Sequence, residues 1–126
     1  MRSVVYDTSV LIAAERGDRK LWAEHRLRLE AGNVPLVSAN VVAQASRSPR
    51  QVQLHRLLRG CAVVALDEAA AHRVGALLGK SRTTDIVDAA VVVLAIERSA
   101  DVQTGDPEDI RRLSGAARAR LRILSV

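Results

Sequence analysis

The chain has 126 residues, the size of a single domain, and 48% of them are hydrophobic, which is enough to form a buried core. The chain has one cysteine, Cys61, which excludes an internal disulfide framework and a cysteine-rich zinc site. It also has only one tryptophan and one tyrosine, which disfavours folds that stack single-stranded bases on aromatic side chains. Every apolar run is too short to span a membrane, which predicts a cytoplasmic protein. The net charge of +5 predicts a surface that attracts polyanions, nucleic acid first.

The hydrophobic pattern and the turn residues divide the chain into strands that alternate with helices. In chain order they predict a strand at 3–6, helices at 8–14 and 19–31, a strand at 35–37, a helix that Ser38 caps, a helical stretch at 50–58, a strand at 61–66, helices at 67–78 and 84–96, a weak strand at 101–104, a helix at 107–113 and a last strand at 121–126. Strands separated by helices indicate βαβ units with right-handed crossovers. We therefore expect a three-layer α/β/α domain with a mostly parallel sheet.

Four aspartates fall where such a sheet builds its ligand sites. Asp7 directly follows the first strand, and Asp106 follows the fourth. Asp85 and Asp88 lie one helical turn apart at the start of the helix before that fourth strand. Ligands of open α/β sheets bind beyond the carboxyl ends of the strands, near a change in strand order. Because packed carboxylates repel each other and a hard divalent cation relieves that repulsion, the pattern predicts a Mg²⁺ or Mn²⁺ site.

Each of these aspartates also has a purely structural interpretation. Asp7 is placed to cap the helix that follows it, although Thr8 or Ser9 is an equally good cap by residue type. Asp85 and Asp88 resemble a capping pair, and Asp106 precedes a proline, as caps often do. The convergence of all four at one edge of one sheet favours the functional interpretation.

The histidines do not suggest a competing metal site. They follow no spacing typical of zinc ligands, and each falls within a predicted helix, where it is expected to face solvent. These residues are His25, His55 and His72. The predicted ligands are therefore oxygen atoms only.

Four segments of the chain resemble PIN domains and, within that family, the VapC-type toxins of toxin–antitoxin pairs. The segments are 4–11, 37–44, 85–91 and 102–110. The resemblance covers nearly the whole chain and describes residues 1–126 as one PIN-like nuclease domain. It implies a four- or five-stranded parallel sheet, a Mg²⁺- or Mn²⁺-dependent ribonuclease, a VapB-like antitoxin, and assembly as a homodimer or a toxin–antitoxin hetero-oligomer.

The resemblance also implies roles for individual residues. Asp7, Asp88 and Asp106 match the acidic positions of the family and would be the metal ligands, while Asp85 is an additional acid beside them. The matching hydroxyl positions, which would support the ligands, are Thr8, Ser9 and Thr104. In the expected reaction, the metal polarises the RNA phosphodiester and activates water for in-line attack.

One residue departs from the family pattern. The family usually has glutamate on the helix after the second strand, where this chain has Gln44. Glutamine keeps a carbonyl oxygen but loses the charge, so it would orient metal-bound water and attract Mg²⁺ less strongly. Either Asp85 replaces the missing charge, or the chain is a catalytically weakened or inactive PIN-like binding protein that holds RNA or a partner without cutting.

Basic and apolar side chains suggest where RNA and an antitoxin would bind. Arg47 and Arg50, which follow Gln44, are candidates for holding substrate phosphates, with a solvated helix face as the alternative. Three leucines and a tryptophan would form either a groove for an antitoxin helix or ordinary core: Leu54, Leu57, Leu58 and Trp22. A phosphate-accepting receiver domain is disfavoured, because the first strand is followed by a single acid and the last by no lysine.

Overall fold

The computed structural model describes residues 2–126, in which one or two helices separate each strand from the next. The strands are β1 (Val4–Tyr6), β2 (Leu36–Ser38), β3 (Ala62–Val64), β4 (Asp101–Thr104) and β5 (Ile123–Ser125). The helices are α1 (Thr8–Glu15), α2 (Arg19–Glu30), α3 (Ala39–Ala45), α4 (Val52–Arg59), α5 (Glu68–Ser81), α6 (Ile86–Arg98) and α7 (Pro107–Ala116). None of the helices within residues 2–126 combines the length and the apolar character needed to span a bilayer.

The five strands form one parallel sheet in the order β3-β2-β1-β4-β5. The predicted α/β/α fold is therefore confirmed, with every strand pair parallel. The chain builds outward from β1 to β3 on one side and then returns to add β4 and β5 on the other. The change in strand order thus lies between β1 and β4, where Tyr6 pairs with Gln103.

The central strands are buried and the edge strands are not. Every residue of β1 and β4 is buried, whereas Ala62 and Val63 of the edge strand β3 are exposed. The sequence of β4 gives only a weak strand signal, because three of its four residues are polar. Each of these has a partner in the fold, since Asp101 binds Arg2 at 2.8 Å and the other two bind side chains described below. Paired polar groups can be buried at little cost, so a polar strand occupies the centre of the sheet.

His25 contradicts the prediction that all three histidines face solvent. It is only 3% exposed, and its Nδ1 lies 2.9 Å from the hydroxyl of Tyr6. Burial, with the charges of Arg28 and Arg56 as smaller causes, lowers the pKa of His25. The other two histidines are exposed, as predicted: His55 and His72. The sequence of α2 did not predict the burial of His25, because polar and charged residues lie on both faces of this helix and no clear apolar face marks the buried side.

A polar network surrounds this histidine between α2 and the sheet. Arg28, itself buried, donates to the Tyr6 hydroxyl at 3.1 Å and to Oε1 of Gln103 at 2.9 Å. Gln103 in turn donates to Glu24 at 2.9 Å. Because Tyr6 and Gln103 are neighbours on β1 and β4, the network joins the two strands next to the switch in strand order.

Most of the predicted helix starts are confirmed, and those of α1 and α4 differ. Ser38, Asp67 and Asp85 cap α3, α5 and α6 through their side-chain oxygens. The cap of α1 is Asp7, not Thr8 or Ser9, which lie inside the first turn. The structural interpretation of Asp7 as a helix cap is therefore correct.

The helical stretch predicted at 50–58 begins later, at Val52, and its first turn has an unusual cap. Gln51 at the cap position makes no capping hydrogen bond. Instead Oε2 of Glu15, the last residue of α1, accepts a hydrogen bond from the backbone N–H of Leu54 at 3.0 Å. A side chain 39 positions away in sequence thus accepts a hydrogen bond from a free N–H in the first turn of α4. The local sequence around α4 cannot reveal this partner.

Candidate active site

Asp7 is held at the carboxyl end of β1 by a set of hydrogen bonds. Its side chain is buried, and Oδ1 accepts from the backbone N–H groups of Ser9 at 2.9 Å and Val10 at 3.4 Å and from the Ser9 hydroxyl. Its Oδ2 accepts from the hydroxyl of Thr104, at the end of β4. Burial raises the pKa of Asp7, and the hydrogen bonds from Ser9 and Thr104 oppose that rise because they stabilise the carboxylate.

The loop after β4 is tied to the same group of residues. The backbone N–H of Gly105 donates to the Ser9 hydroxyl at 2.7 Å, and that of Asp106 donates to the Thr104 hydroxyl at 2.8 Å. A Cβ at Gly105 would lie 3.3 Å from the Ser9 side chain, so this approach favours glycine. The two hydroxyls therefore act twice, as donors to Asp7 and as acceptors from the loop.

Asp106 occupies the cap position of α7 without serving as a cap. Its carboxylate accepts no capping hydrogen bond, and the residue is exposed. The interpretation of Asp106 as an ordinary helix cap is therefore wrong. The fold places its backbone beside Thr104 at the edge where Asp7 lies.

Asp85 and Asp88 form the capping pair suggested by their spacing, and they also form part of a charged cluster. Oδ1 of Asp85 accepts from the backbone N–H of Asp88 at 3.0 Å. The pKa of Asp88 is raised to about 7, first by burial, then by the charge and hydrogen bond of Asp85, and then by the charges of Asp7 and Asp109. The structure thus brings the carboxyl groups of α6, β1 and α7 within electrostatic reach of one another.

Asp109 is the site residue that the sequence did not predict. It lies in the first turn of α7, three residues after Asp106, and its charge is one of those that raise the pKa of Asp88. A cavity of about 270 Å³ contains it, lined by Thr83, Thr84, Asp85, Asp88, Asp109, Arg112 and Leu113. The available signal was its position three residues after Asp106, in the first turn of the helix that begins at Pro107.

Gln44 reaches the site through a single neighbour. It is exposed on α3, and its Oε1 accepts a hydrogen bond from the hydroxyl of Thr8, the residue after Asp7. The two arginines that follow it are also exposed. The Arg47 guanidinium donates to the carbonyl oxygens of Ala43 at 3.2 Å and Ser46 at 2.7 Å, which places it at the end of α3.

The residues of the site suit a divalent cation in their chemistry. The donors are carboxylate and hydroxyl oxygens, the ligands of Mg²⁺ and Mn²⁺, and their mutual repulsion is what a cation would relieve. Within residues 2–126, however, no three Asp, Glu, His or Cys side chains lie close enough together to hold a metal ion in this arrangement. Hydrogen bonds to both of its oxygens hold Asp7 in place, and a shared ion requires other carboxylates to move closer to it than they lie here.

Comparisons with known proteins agree with this fold. The structure is similar to VapBC2 from Rickettsia felis bound to a DNA fragment from its promoter, with a TM-score of 0.72, 15% identity and 98% of each chain covered. It is also similar to FitAB bound to an IR36 DNA fragment, with a TM-score of 0.64, 16% identity, and 97% of this chain and 94% of that chain covered. No curated protein matches. The family model of the PIN domain matches residues 4–116, and the chain therefore belongs to the PIN domain family.

Proposed function

We propose that this chain is a Mg²⁺- or Mn²⁺-dependent endoribonuclease, the toxin of a VapBC-like toxin–antitoxin pair, and that residues 1–126 act as one cytoplasmic nuclease domain. PIN domains are generally nucleases that depend on divalent metals. The observation that carries the proposal is the convergence of Asp7, Asp85, Asp88 and Asp109 beside the switch in strand order, where burial first, and then the neighbouring carboxylates, raise the pKa of Asp88 to about 7. Such a cluster is destabilising unless a cation or substrate chemistry uses it.

In this proposal Asp7 and Asp88 are the principal metal ligands, with Asp106 as a third. Asp109 and Asp85 add negative charge to the cavity around Asp88. When bound, the ion supplies Lewis-acid polarisation of the scissile phosphate and lowers the pKa of coordinated water. The chain itself orients Asp7 through the Ser9 and Thr104 hydroxyls, whose hydrogen bonds stabilise the ionised form of this buried carboxylate.

Gln44 favours a second candidate, a PIN-like protein that binds RNA or a partner without cutting it. The amide oxygen of Gln44 accepts a hydrogen bond from the Thr8 hydroxyl, but the side chain brings no negative charge to the site. The absence of a ready-made three-carboxylate site within residues 2–126 is consistent with weak metal binding. A cleavage assay with metal titration separates this candidate from the nuclease.

The proposed antitoxin would bind at α2 and α4. Of the two alternatives for the leucines, ordinary core is correct for Leu54 and Leu57, which are buried. A cavity of about 560 Å³ remains between α2 and α4, where the guanidinium of Arg56 lies 4.2 Å from the Trp22 ring centre. Three arginines and one glutamate line it, so it suits an acidic amphipathic segment: Arg19, Arg26, Arg56 and Glu30. The similar VapBC2 and FitAB structures support a toxin–antitoxin hetero-oligomer, and a toxin homodimer is part of the same proposal.

The deciding experiment is cleavage of RNA by the purified chain with Mn²⁺, Mg²⁺ or EDTA. We expect metal-dependent cleavage that Asp7→Asn and Asp88→Asn each reduce by more than a hundredfold, while thermal unfolding shows that both variants fold. Asp18→Asn is the matched control, since Asp18 caps α2 as Asp7 caps α1 but lies outside the cluster. Undiminished cleavage by both site variants, or cleavage in EDTA, would contradict the proposal.

A further inference from the structure

Arg112 brings a positive charge to the cavity beside Asp88, and the packing of α7 sets the position of this residue. Ile110 and Leu113 of α7 are buried, so the orientation of this helix is set by its packing. Asp109 and Arg112 each precede one of these residues and lie three positions apart, on the adjacent face of the helix. Both line the cavity, which brings a guanidinium to the edge of the carboxylate cluster.

Arg112 is not neutralised by the acids around it. Within residues 2–126, no carboxylate oxygen lies within 4.0 Å of its guanidinium, although three aspartates line the same cavity. The preceding residue, Arg111, differs in that it pairs with Glu108 at 3.3 Å. The donors of Arg112 are therefore available to a ligand that enters the cavity.

Two hydroxyl groups also line the cavity. They belong to Thr83 and Thr84, in the loop between α5 and α6. The Thr83 hydroxyl lies 2.7 Å from that of Ser81, whereas Thr84 is exposed. A hydroxyl and a planar guanidinium together suit an anion with several oxygens.

The small size of the cavity and the guanidinium of Arg112 suit a phosphate group, once a cation balances the carboxylates. Its volume of about 270 Å³ is below the range of about 300–1,000 Å³ typical of pockets for drug-sized ligands. The three carboxylates and one guanidinium that line it leave a formal charge of −2, which one divalent cation balances. Arginine then binds a phosphodiester with two parallel hydrogen bonds.

We propose that Arg112, together with the Thr84 hydroxyl, holds an RNA phosphate beside the carboxylate cluster and so positions the RNA strand for cleavage. This inference rests on the proposed nuclease function and assigns the substrate contact of that site. It makes Arg112 a substrate-binding residue, distinct from the residues that bind the metal.

The test is RNA binding at several salt concentrations. A fluorescently labelled single-stranded RNA of 20 nucleotides and mixed sequence is titrated with the full chain carrying Asp88→Asn, which prevents cleavage, with and without Arg112→Gln. We expect Arg112→Gln to raise the Kd about tenfold and to reduce the slope of log Kd against log salt by about 0.7, the loss of one phosphate contact to a single strand. Arg112→Lys, which keeps the charge but loses the planar fork, should be intermediate.

Arg98→Gln is the matched control, because it removes the same charge from the far end of α6, about 15 Å from Asp88 along the helix axis. It should change the Kd by less than about twofold. An unchanged Kd and salt slope in Arg112→Gln, or an equal effect of Arg98→Gln, would overturn the inference.

Cleavage by the otherwise unmodified chain separates this inference from the nuclease proposal. Metal-dependent cleavage with an RNA affinity that does not depend on Arg112 would refute the phosphate contact and leave the nuclease in place. RNA binding that depends on Arg112, without cleavage under any metal condition, would refute the nuclease and support the contact as part of a binding protein.

Discussion

The Thr104 hydroxyl donates a hydrogen bond to Oδ2 of Asp7, although the two residues are 97 positions apart in the chain. This bond joins the carboxyl ends of β1 and β4 at the switch in strand order. It also stabilises the charged form of a carboxylate whose pKa burial raises. The side chain that defines the candidate site is thus oriented by a strand that is distant in sequence.

Thr104→Val should destabilise the protein and weaken metal binding. Valine has nearly the same shape but no hydroxyl, so Oδ2 of Asp7 loses its donor and the pKa of Asp7 rises further. An unpaired buried acceptor costs about 1–3 kcal/mol. Urea unfolding and Mn²⁺ titration measure the two effects. Thr104→Ser, which keeps the hydroxyl, should retain most of the stability; a loss equal to that of valine would contradict the role of the hydrogen bond.

Gln44→Glu should strengthen Mn²⁺ binding and RNA cleavage. The Thr8 hydroxyl already donates to Oε1 at this position, so a carboxylate would occupy the same place and add one negative charge near Asp7. We expect the Kd for Mn²⁺ to fall about tenfold, which corresponds to about 1.4 kcal/mol. Calorimetric titration measures it. Ala43→Glu adds the same charge at the neighbouring exposed position, and equal gains in both variants would attribute the effect to net charge alone.

The metal-free protein should lose stability as the pH rises from about 4 to about 7 and change little above that. The pKa of Asp88 is about 7 in the folded chain and about 4 when unfolded, so the folded state binds more protons between these values. In that range ionisation increasingly penalises the folded state. Asp88→Asn should therefore be more stable than the unsubstituted chain at pH 8, and the difference should shrink towards pH 5. Melting temperatures in EDTA from pH 5 to 8 test this; a constant difference would contradict the raised pKa.

Glu15→Ala should destabilise α4, a helix to which Glu15 does not belong. The carboxylate accepts the Leu54 N–H at 3.0 Å, and no side chain at the cap position of α4 does so. Loss of a capping acceptor costs about 1 kcal/mol. Glu15→Gln keeps an acceptor oxygen and should lose less. Equal unfolding midpoints in urea for Glu15→Ala and the unsubstituted chain would show that water replaces the cap.

Local sequence patterns predicted much of the fold for identifiable reasons. Short β-branched runs, turn residues and capping side chains are local signals, and they located every strand and most helix starts. The caps of α3, α5 and α6 by Ser38, Asp67 and Asp85 needed nothing beyond the nearest residues. The start of α4 was not predictable, because its capping acceptor comes from Glu15.

The candidate site was only partly predictable, since its electrostatics depend on distances across the sheet. Residues at strand ends pointed to Asp7 and to the loop after β4, and helical spacing pointed to Asp85 and Asp88. Asp109 was missed because it acts through space on Asp88 from another helix. Whether the positions carried over from the family bind a metal stays a prediction for the cleavage and titration experiments.

The sequence by itself determined the succession of strands and helices, the caps of α3, α5 and α6 and the accumulation of carboxylates after strands, because these follow from the residue types within a few positions of one another. Only the tertiary structure decided the strand order, the burial of His25 and Arg28, and which carboxylates act on Asp88. Those outcomes depend on burial and on charge separation, and both are set by elements that meet only after the chain has folded.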